Sequence, residues 1–468
     1  MKIDLTFMGA ARNVTGSRYL VETGNTKLLV DCGLYQERDF LYRNWEPFRC
    51  KPKELAAVLL THAHLDHSGL LPKLVKEGFR GKVYCTPATA DITKIILLDS
   101  AHLQEEDAAY KKKRHIREGK KEHYPEVPLY TVADAEACSR LFTPVEYNQT
   151  VTIGEGIEAT FYDAGHVLGS SMIKLKISQG AEKRSIVFSG DIGRWDRPML
   201  HDPSVFHYTD YIVMESTYGD REHEGTNEIG DDLAEIVKSA SAAGGNIIVP
   251  SFALQRAQEI LYYLNSLLRA NRIPHLFVYL DSPMAIQITE VFKKYYELMD
   301  EDMRDLLRQH QSPFDFPGLK MVETVEESKA LNAIKGTVMI IAGSGMCTGG
   351  RIKHHLANNI SRPECTVLFV GYQAAGTLGR QIVDGAKSVR IHGQPYPVRA
   401  RITQLQGFSA HADRSDLLKW LSKLSVSPRH IFVTHGEASS ADKFCQFLHE
   451  KTSFECSVPS YGTIAHLD

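Results

Sequence analysis

Residues 61–69 read THAHLDHSG and follow the apolar run AAVLL, so three histidines and an aspartate crowd the end of one buried-type strand. With 20 histidines in 468 residues, the pattern His-Xaa-His-Xaa-Asp-His would arise by chance about once in several hundred chains of this composition. Alternate residues of an extended chain project to one side, so His62 and His64 can face one metal ion. Asp66 and His67 can then turn toward a second ion in the same small volume. Whatever fold the chain adopts must gather metal-binding side chains where its strands end.

Other strand-like runs stop in the same way. ATFYDAGH ends at His166, SIVFSGD at Asp191 and HIFVTH at His435. Taken singly, a lone histidine is usually an ordinary surface or core residue, and an aspartate after Ser-Gly is often a turn residue or helix cap. Together with THAHLDH, the three supply the remaining ligands of a dinuclear site. A donor set rich in imidazole and carboxylate, without thiolate, favours zinc over magnesium or calcium. Two neighbouring dications lower the pKa of a bridging water and bind both an anionic substrate and developing oxyanion charge, which suits a phosphodiester. Asp31, ending TKLLVDCG, is expected to accept a hydrogen bond from a ligand histidine and fix its tautomer, with a strand-end cap as the alternative.

Composition sets the surroundings of this chemistry. A chain with 43% hydrophobic and 24% charged residues is of ordinary globular type, with length for two or three domains. The start, MKIDLTFMGAARNVTGS, alternates like a first strand and lacks the apolar core of a signal peptide. No apolar run approaches the roughly 18 residues of a membrane span. A cytoplasmic location with no membrane partner is therefore expected. The net charge of −3 excludes an overall basic coat for nucleic acid, so the positive field for a polyanion must be local. One basic run, KKKRHIREGKK at 111–121, reads as a solvated helix end and loop, with an RNA-steering patch as the alternative. The eight cysteines are scattered without a CxxC pair, so they are expected to be reduced and mostly buried.

Along the chain, residues 3–85 read as short strands with one short helix, followed by a long amphipathic helix starting near Pro87. VTIGEGIEATFYDAGH, SSMIKLKIS, RSIVFSGDIG and YIVMESTYG continue the strand pattern. From about residue 226, helical stretches such as RAQEILYYLNSLLRA alternate with buried-type strands such as NIIVPS, TVMIIAGSG and CTVLFVGYQ. That alternation predicts a parallel sheet flanked by helices. After about residue 400, ARITQLQGFSAHAD and HIFVTHGE return to strands that end in histidines.

The motifs LLVDCG, THAHLDHSG, DAGHVLGS and FSGDIG resemble the metallo-β-lactamase superfamily. VMESTYGD with Glu215, GFSAHAD with His411 and VTHGE with His435 resemble motifs A, B and C of its beta-CASP branch of nucleases. The resemblance implies an α/β fold: an αββα sandwich built from 1–218 and 400–468, with a beta-CASP domain inserted at 219–399. It implies two zinc ions, one held by His62, His64 and His166 and the other by Asp66, His67 and His435, with Asp191 bridging. It casts His411 as the general acid and Glu215 as the carboxylate that keeps it charged. RNA-processing members carry histidine at the position of His435, whereas DNA-repair members typically carry valine.

The implied activity is hydrolysis of single-stranded RNA, endonucleolytic or 5′-to-3′ exonucleolytic, in RNA processing or decay; a homodimer is compatible with the sequence, which does not itself demonstrate one. The RNA would thread between the sandwich and the inserted domain. Two loops of that domain, IAGSGMCTGGR and GYQAAGTLGR, could cradle phosphates through Ser344, Gly345, Thr348, Arg351, Thr377 and Arg380. The alternatives are a small-molecule metallo-hydrolase, which would need no polymer groove, and a non-catalytic RNA-binding subunit, which would typically have lost metal ligands.

Overall fold

The computed structural model describes residues 1–118, 127–223, 229–334, 336–374, 376–405 and 407–467, and for 114–118 the backbone alone. The chain divides into two compact units, Met1–Glu222 with Ala410–Asp468, and His223–Ser409.

The first unit contains two seven-stranded sheets. In one, Ile464–Leu467, Ile3–Gly9, Arg18–Thr23, Thr26–Val30, Leu55–Leu59, Lys82–Cys85 and Phe142–Pro144 lie side by side. The other runs from Cys456–Ser457 and His430–Val433 through Tyr211–Met214, Glu182–Phe188, Ser171–Gln179 and Ile157–Asp163 to Thr150–Gly154. Alternation fixes which face each strand buries. Ile3, Leu5 and Phe7 of the first sheet meet Phe161, Ile173, Leu175 and Phe188 of the second in one core. Burying side chains of this size stabilises the fold by about 1.5–3 kcal/mol each.

The outer faces are covered by helices. Leu71 and Leu74 of Leu71–Lys76, Leu97 and Ala101 of Pro87–Glu118, and Ala135 of Val132–Ser139 pack on the first sheet. Leu417 and Trp420 of Arg414–Leu421, with Phe444 and Leu448 of Ala438–Lys451, pack on the second. The result is the expected αββα sandwich. The long helix departs from a continuous amphipathic stripe: it is largely buried as far as Ala101 and mostly exposed beyond it. Lys111 pairs there with Asp107 one turn earlier, as a solvated helix end would. Residues 119–126, which hold the end of the basic run, lie outside the described residues.

The second unit is built on a six-stranded sheet ordered Leu319–Met321, Phe277–Leu280, Val338–Ala342, Ile247–Pro250, Thr366–Phe369, Arg401–Gln404. All five pairings are parallel; Ile229–Ala243 leads into the first strand, and helices such as Arg256–Arg269 and Pro283–Lys294 form the connections. The first boundary, expected after 218, falls after Glu222. The second, expected after 399, falls after Ser409 because Arg401–Gln404 pairs with Thr366–Phe369 as the edge strand of this sheet.

The cysteines need one correction. Cys32, Cys50, Cys85, Cys138, Cys347 and Cys365 are buried free thiols, but Cys445 and Cys456 form a disulfide. A helix and turn return the chain on itself between them, a proximity that spacing alone does not reveal.

Candidate metal centre

The sandwich positions its donors through strand ends. Thr26–Val30 leads into Asp31, Leu55–Leu59 into His62 and Ile157–Asp163 into His166. Glu182–Phe188 leads into Asp191, Tyr211–Met214 into Glu215 and His430–Val433 into His435. Asp31 and His435 both have positive φ, 59° and 48°, a conformation that side-chain-bearing residues rarely adopt and that turns each side chain off its strand. The loop after Asp31 packs tightly under the motif: Cys32 N donates to His67 O at 2.7 Å, and a Cβ on Gly33 would meet Asp66 O at 1.7 Å. Only glycine fits there.

These ends bring seven side chains into two groups that share Asp191. In the first, His62 Nε2 lies 3.0 Å from His64 Nδ1 and 3.3 Å from Asp191 Oδ2. His166 Nε2 lies 3.3 Å from the same His64 nitrogen and 3.4 Å from the same Asp191 oxygen. In the second, His67 Nε2 is 3.0 Å from His435 Nε2 and 3.2 Å from Asp191 Oδ1. His435 Nε2 is 3.5 Å from both Asp66 Oδ2 and Asp191 Oδ1.

Ligand atoms about 2.0–2.1 Å from a tetrahedral ion stand roughly 3.3 Å from one another, and the observed separations match that spacing. Asp191 Oδ1 is buried with His67 Nε2 and His435 Nε2 at 3.2 and 3.5 Å but neither in hydrogen-bond geometry, an arrangement that a cation between the three atoms would complete. The donors therefore fit metal ions.

Burial and charge polarise the cluster. Burial, assisted by His67, pulls His62 down to about 3, and burial pulls His64 down to about 4, so both rings are neutral and able to ligate. His166 is also held well below its ordinary value, by burial and then His411. For His67 burial acts in the same sense, but the charges of Asp191 and Asp31 outweigh it and raise the imidazole. Asp31 Oδ2 lies 2.7 Å from His67 Nδ1, which leaves Nε2 pointing at Asp191.

Beside this cluster, His411 Nδ1 lies 3.2 and 3.1 Å from the two Glu215 oxygens. Glu215 is itself held by Ile192 N, which donates to Oε1 at 2.6 Å. Burial lowers the His411 pKa, yet Glu215 and then Asp191 outweigh it and raise the ring to about 9. The His411 ring stands 4.5 Å, centroid to centroid, from that of His166.

Two hydroxyls that sequence reasoning missed complete the support. Thr61 donates through N and Oγ1 to Asp31 and sits 3.1 Å from His62 Nδ1. Thr217 Oγ1 is 3.1 Å from His435 Nδ1. Thr61 immediately precedes His62 in the sequence, which was the available signal. Thr217 is brought to His435 only by strand pairing.

The glycine-rich loops of the second unit behave differently. Ser344 Oγ accepts from Thr348 N and Gly349 N at 2.9 and 3.2 Å. A Cβ on Gly350 would meet Gly343 O at 2.4 Å, so the loop closes on itself. Gln373 Nε2 ties it to the neighbouring loop through Gly345 O and Gly371 O.

Arg351, expected as a phosphate contact, spends its guanidinium on buried Asp281 at 2.6 Å and on Val322 O and Glu323 O. Thr377 caps the helix Leu378–Val383 by accepting from Arg380 N, and Arg380 Nε pairs with both Asp384 oxygens at 2.9 Å. Thr348 is exposed, Ser344 half-buried and Gly345 buried. The sequence reading also omitted two exposed aromatics on neighbouring strand ends, Phe252 and Tyr372, at 41% and 60% exposure.

A helix-covered double sheet whose strand ends converge on His and Asp donors defines a metal-dependent hydrolase. A model for a metallo-beta-lactamase superfamily domain matches residues 20–204, one for a Beta-Casp domain 257–382, and one for a Zn-dependent metallo-hydrolase RNA specificity domain 395–459. Ribonuclease TTHA0252 of Thermus thermophilus is 40% identical over 429 residues, covering 92% of each chain. Transcription termination factor FttA of Methanosarcina mazei is 31% identical, over 97% of this chain and 70% of that one. The FttA of Thermococcus kodakarensis is 30% identical, over 98% and 70%. A crystal structure of a protein of unknown function from Enterococcus faecalis matches over the full length of both chains with a TM-score of 0.56 at 13% identity, a likeness of fold alone. The chain belongs to the beta-CASP family of the metallo-β-lactamase superfamily.

Proposed function

We propose that this chain is a zinc-dependent ribonuclease that hydrolyses phosphodiester bonds of single-stranded RNA in the cytoplasm. The observation that carries the reading is Asp191, whose two carboxylate oxygens each face a separate set of donors. His62, His64, His166 and Asp191 Oδ2 would hold one zinc, and Asp66, His67, His435 and Asp191 Oδ1 the other. Two zincs, when bound, acidify water and neutralise the phosphodiester anion.

The chain's own residues do the rest. Asp31 and Thr61 fix the His67 ring with its Nε2 toward the centre. Glu215 holds the His411 Nδ1 proton and keeps the imidazole charged near neutrality, so that Nε2 is the position from which a proton reaches the departing oxygen. Phe252 and Tyr372 are exposed aromatic side chains against which unpaired bases can stack, which favours single strands over duplex. The RNA reading draws further on His435 and on relatives named as a ribonuclease and as transcription termination factors.

The test follows 5′-labelled single-stranded RNA and matched DNA with the purified chain, with and without chelator. Chelator-sensitive cleavage of RNA well ahead of DNA is expected, and the product lengths distinguish internal cuts from release of mononucleotides. Zinc-loaded protein that turns over model esters but leaves RNA intact would overturn the reading in favour of a small-molecule hydrolase.

A further inference from the structure

One group of thiol and imidazole side chains lies outside the metal centre and has no part in the chemistry above. Cys445 sits in the helix Ala438–Lys451, His449 one turn later on the same face, and Cys456 in the short strand Cys456–Ser457. The turn between helix and strand brings the two cysteine Cα atoms to 6.0 Å, a separation that a disulfide spans without backbone movement, and the sulfurs are bonded. His449 is exposed, and its Nε2 lies 3.3 Å from Cys456 Sγ. An imidazole at that distance can take the proton of a thiol and hold the resulting thiolate.

The location ties this group to the metal centre. Cys456 pairs with Ile431 on the strand His430–Val433, which leads directly into His435. The helix bearing Cys445 and His449 starts three residues beyond His435. The disulfide thus closes the strand–helix–strand segment that presents one of the second group's donors.

We propose that Cys445 and Cys456 form a reversible thiol–disulfide exchange site, with His449 as its proton acceptor, for low-molecular-weight thiols and disulfides of the glutathione class. In the oxidising direction His449 takes the Cys456 proton, and the thiolate attacks one sulfur of the small disulfide. A mixed disulfide forms and one small thiolate leaves. Cys445 then gives up its proton and attacks Cys456 Sγ, forming the internal bond and releasing the second small thiolate. Two protein thiols are oxidised, one small disulfide is reduced, and the two protons lost by the protein match those gained by the leaving thiolates.

The test incubates the purified full chain in buffers spanning reduced to oxidised glutathione, quenches with acid, alkylates free thiols and quantifies each cysteine by mass spectrometry. Elemental analysis of zinc accompanies it, and His449→Ala and Cys445→Ser are treated alike. Cys445 and Cys456 should pass together between alkylated and bridged forms at one glutathione ratio, while the six buried thiols react only after unfolding. His449→Ala should reach the same end point about tenfold more slowly, and Cys445→Ser should accumulate glutathione on Cys456. The proposal fails if both thiols stay reduced at every ratio or stay bridged until the chain unfolds. It fails equally if Cys445→Ser loses one zinc per chain, which would assign the three side chains to a metal.

Discussion

The strand ends of the sandwich and those of the inserted sheet carry similar polar residues with opposite fates. In the sandwich, His62, His64, Asp66, His67, His166, Asp191 and His435 face one another across 3.0–3.5 Å, and Asp191 Oδ1 is left without a hydrogen bond. In the inserted sheet, Arg351 is spent on Asp281 and two carbonyls, Thr377 on a helix cap and Arg380 on Asp384. Donors that meet without satisfying each other mark where something else must bind. Donors already satisfied mark architecture. Ser344 and Thr348 fall on the architectural side as well, their hydroxyls 3.1 Å apart and the Ser344 oxygen accepting from two backbone amides of the same loop.

That contrast can be broken most severely at Asp191. Asp191→Asn should lose metal from both groups and reduce RNA cleavage by about a thousandfold or more, about 4 kcal/mol of barrier, measured as elemental zinc content beside rate. His411→Ala should keep its metal but slow cleavage by about 10²–10⁴-fold, since only the proton donor is removed. Unchanged cleavage would remove His411 from the reaction.

Arg351→Ala should act on stability instead. It strips one partner from an Asp281 that is fully buried, and should lower the unfolding free energy by about 3 kcal/mol in denaturant titration. RNA affinity measured on the folded variant should change little, and a large loss of affinity would restore the phosphate role. Glu215→Gln sharpens the account through pH. His411 gives a proton only while charged, so the native rate should fall as pH rises through about 9. Removing the Glu215 charge should move that limb to lower pH. The smallest effect is expected from Thr377→Ala, about 1 kcal/mol of stability through the lost cap, with cleavage unaffected.

Much of this site was legible in the sequence because each donor closes an apolar run. The end of a buried strand is where a polar side chain can reach a cleft, and THAHLDH places four donors within six residues, His62 and His64 just after the strand and Asp66 and His67 in the helix Leu65–Ser68. Asp31 was legible in the same way, as the end of TKLLVDCG. The supporting Thr217 was not, since it meets His435 only through the pairing of Tyr211–Met214 with His430–Val433. The fate of Arg351 was hidden for a similar reason: its partner Asp281 lies 70 positions away, just past the strand Phe277–Leu280. The edge strand Arg401–Gln404 looked like a return to the sandwich because its alternation does not say which sheet it joins. The Cys445–Cys456 bond depended on a helix and turn whose geometry spacing alone does not reveal.

The central claim is that one carboxylate, Asp191, joins two cation sites. Anomalous diffraction from crystals of the zinc-loaded chain, collected at the zinc edge, tests it most directly. The account predicts two peaks, one beside Oδ2 among His62, His64 and His166, the other beside Oδ1 among Asp66, His67 and His435. A single peak, or two peaks that Asp191 does not bridge, would contradict it.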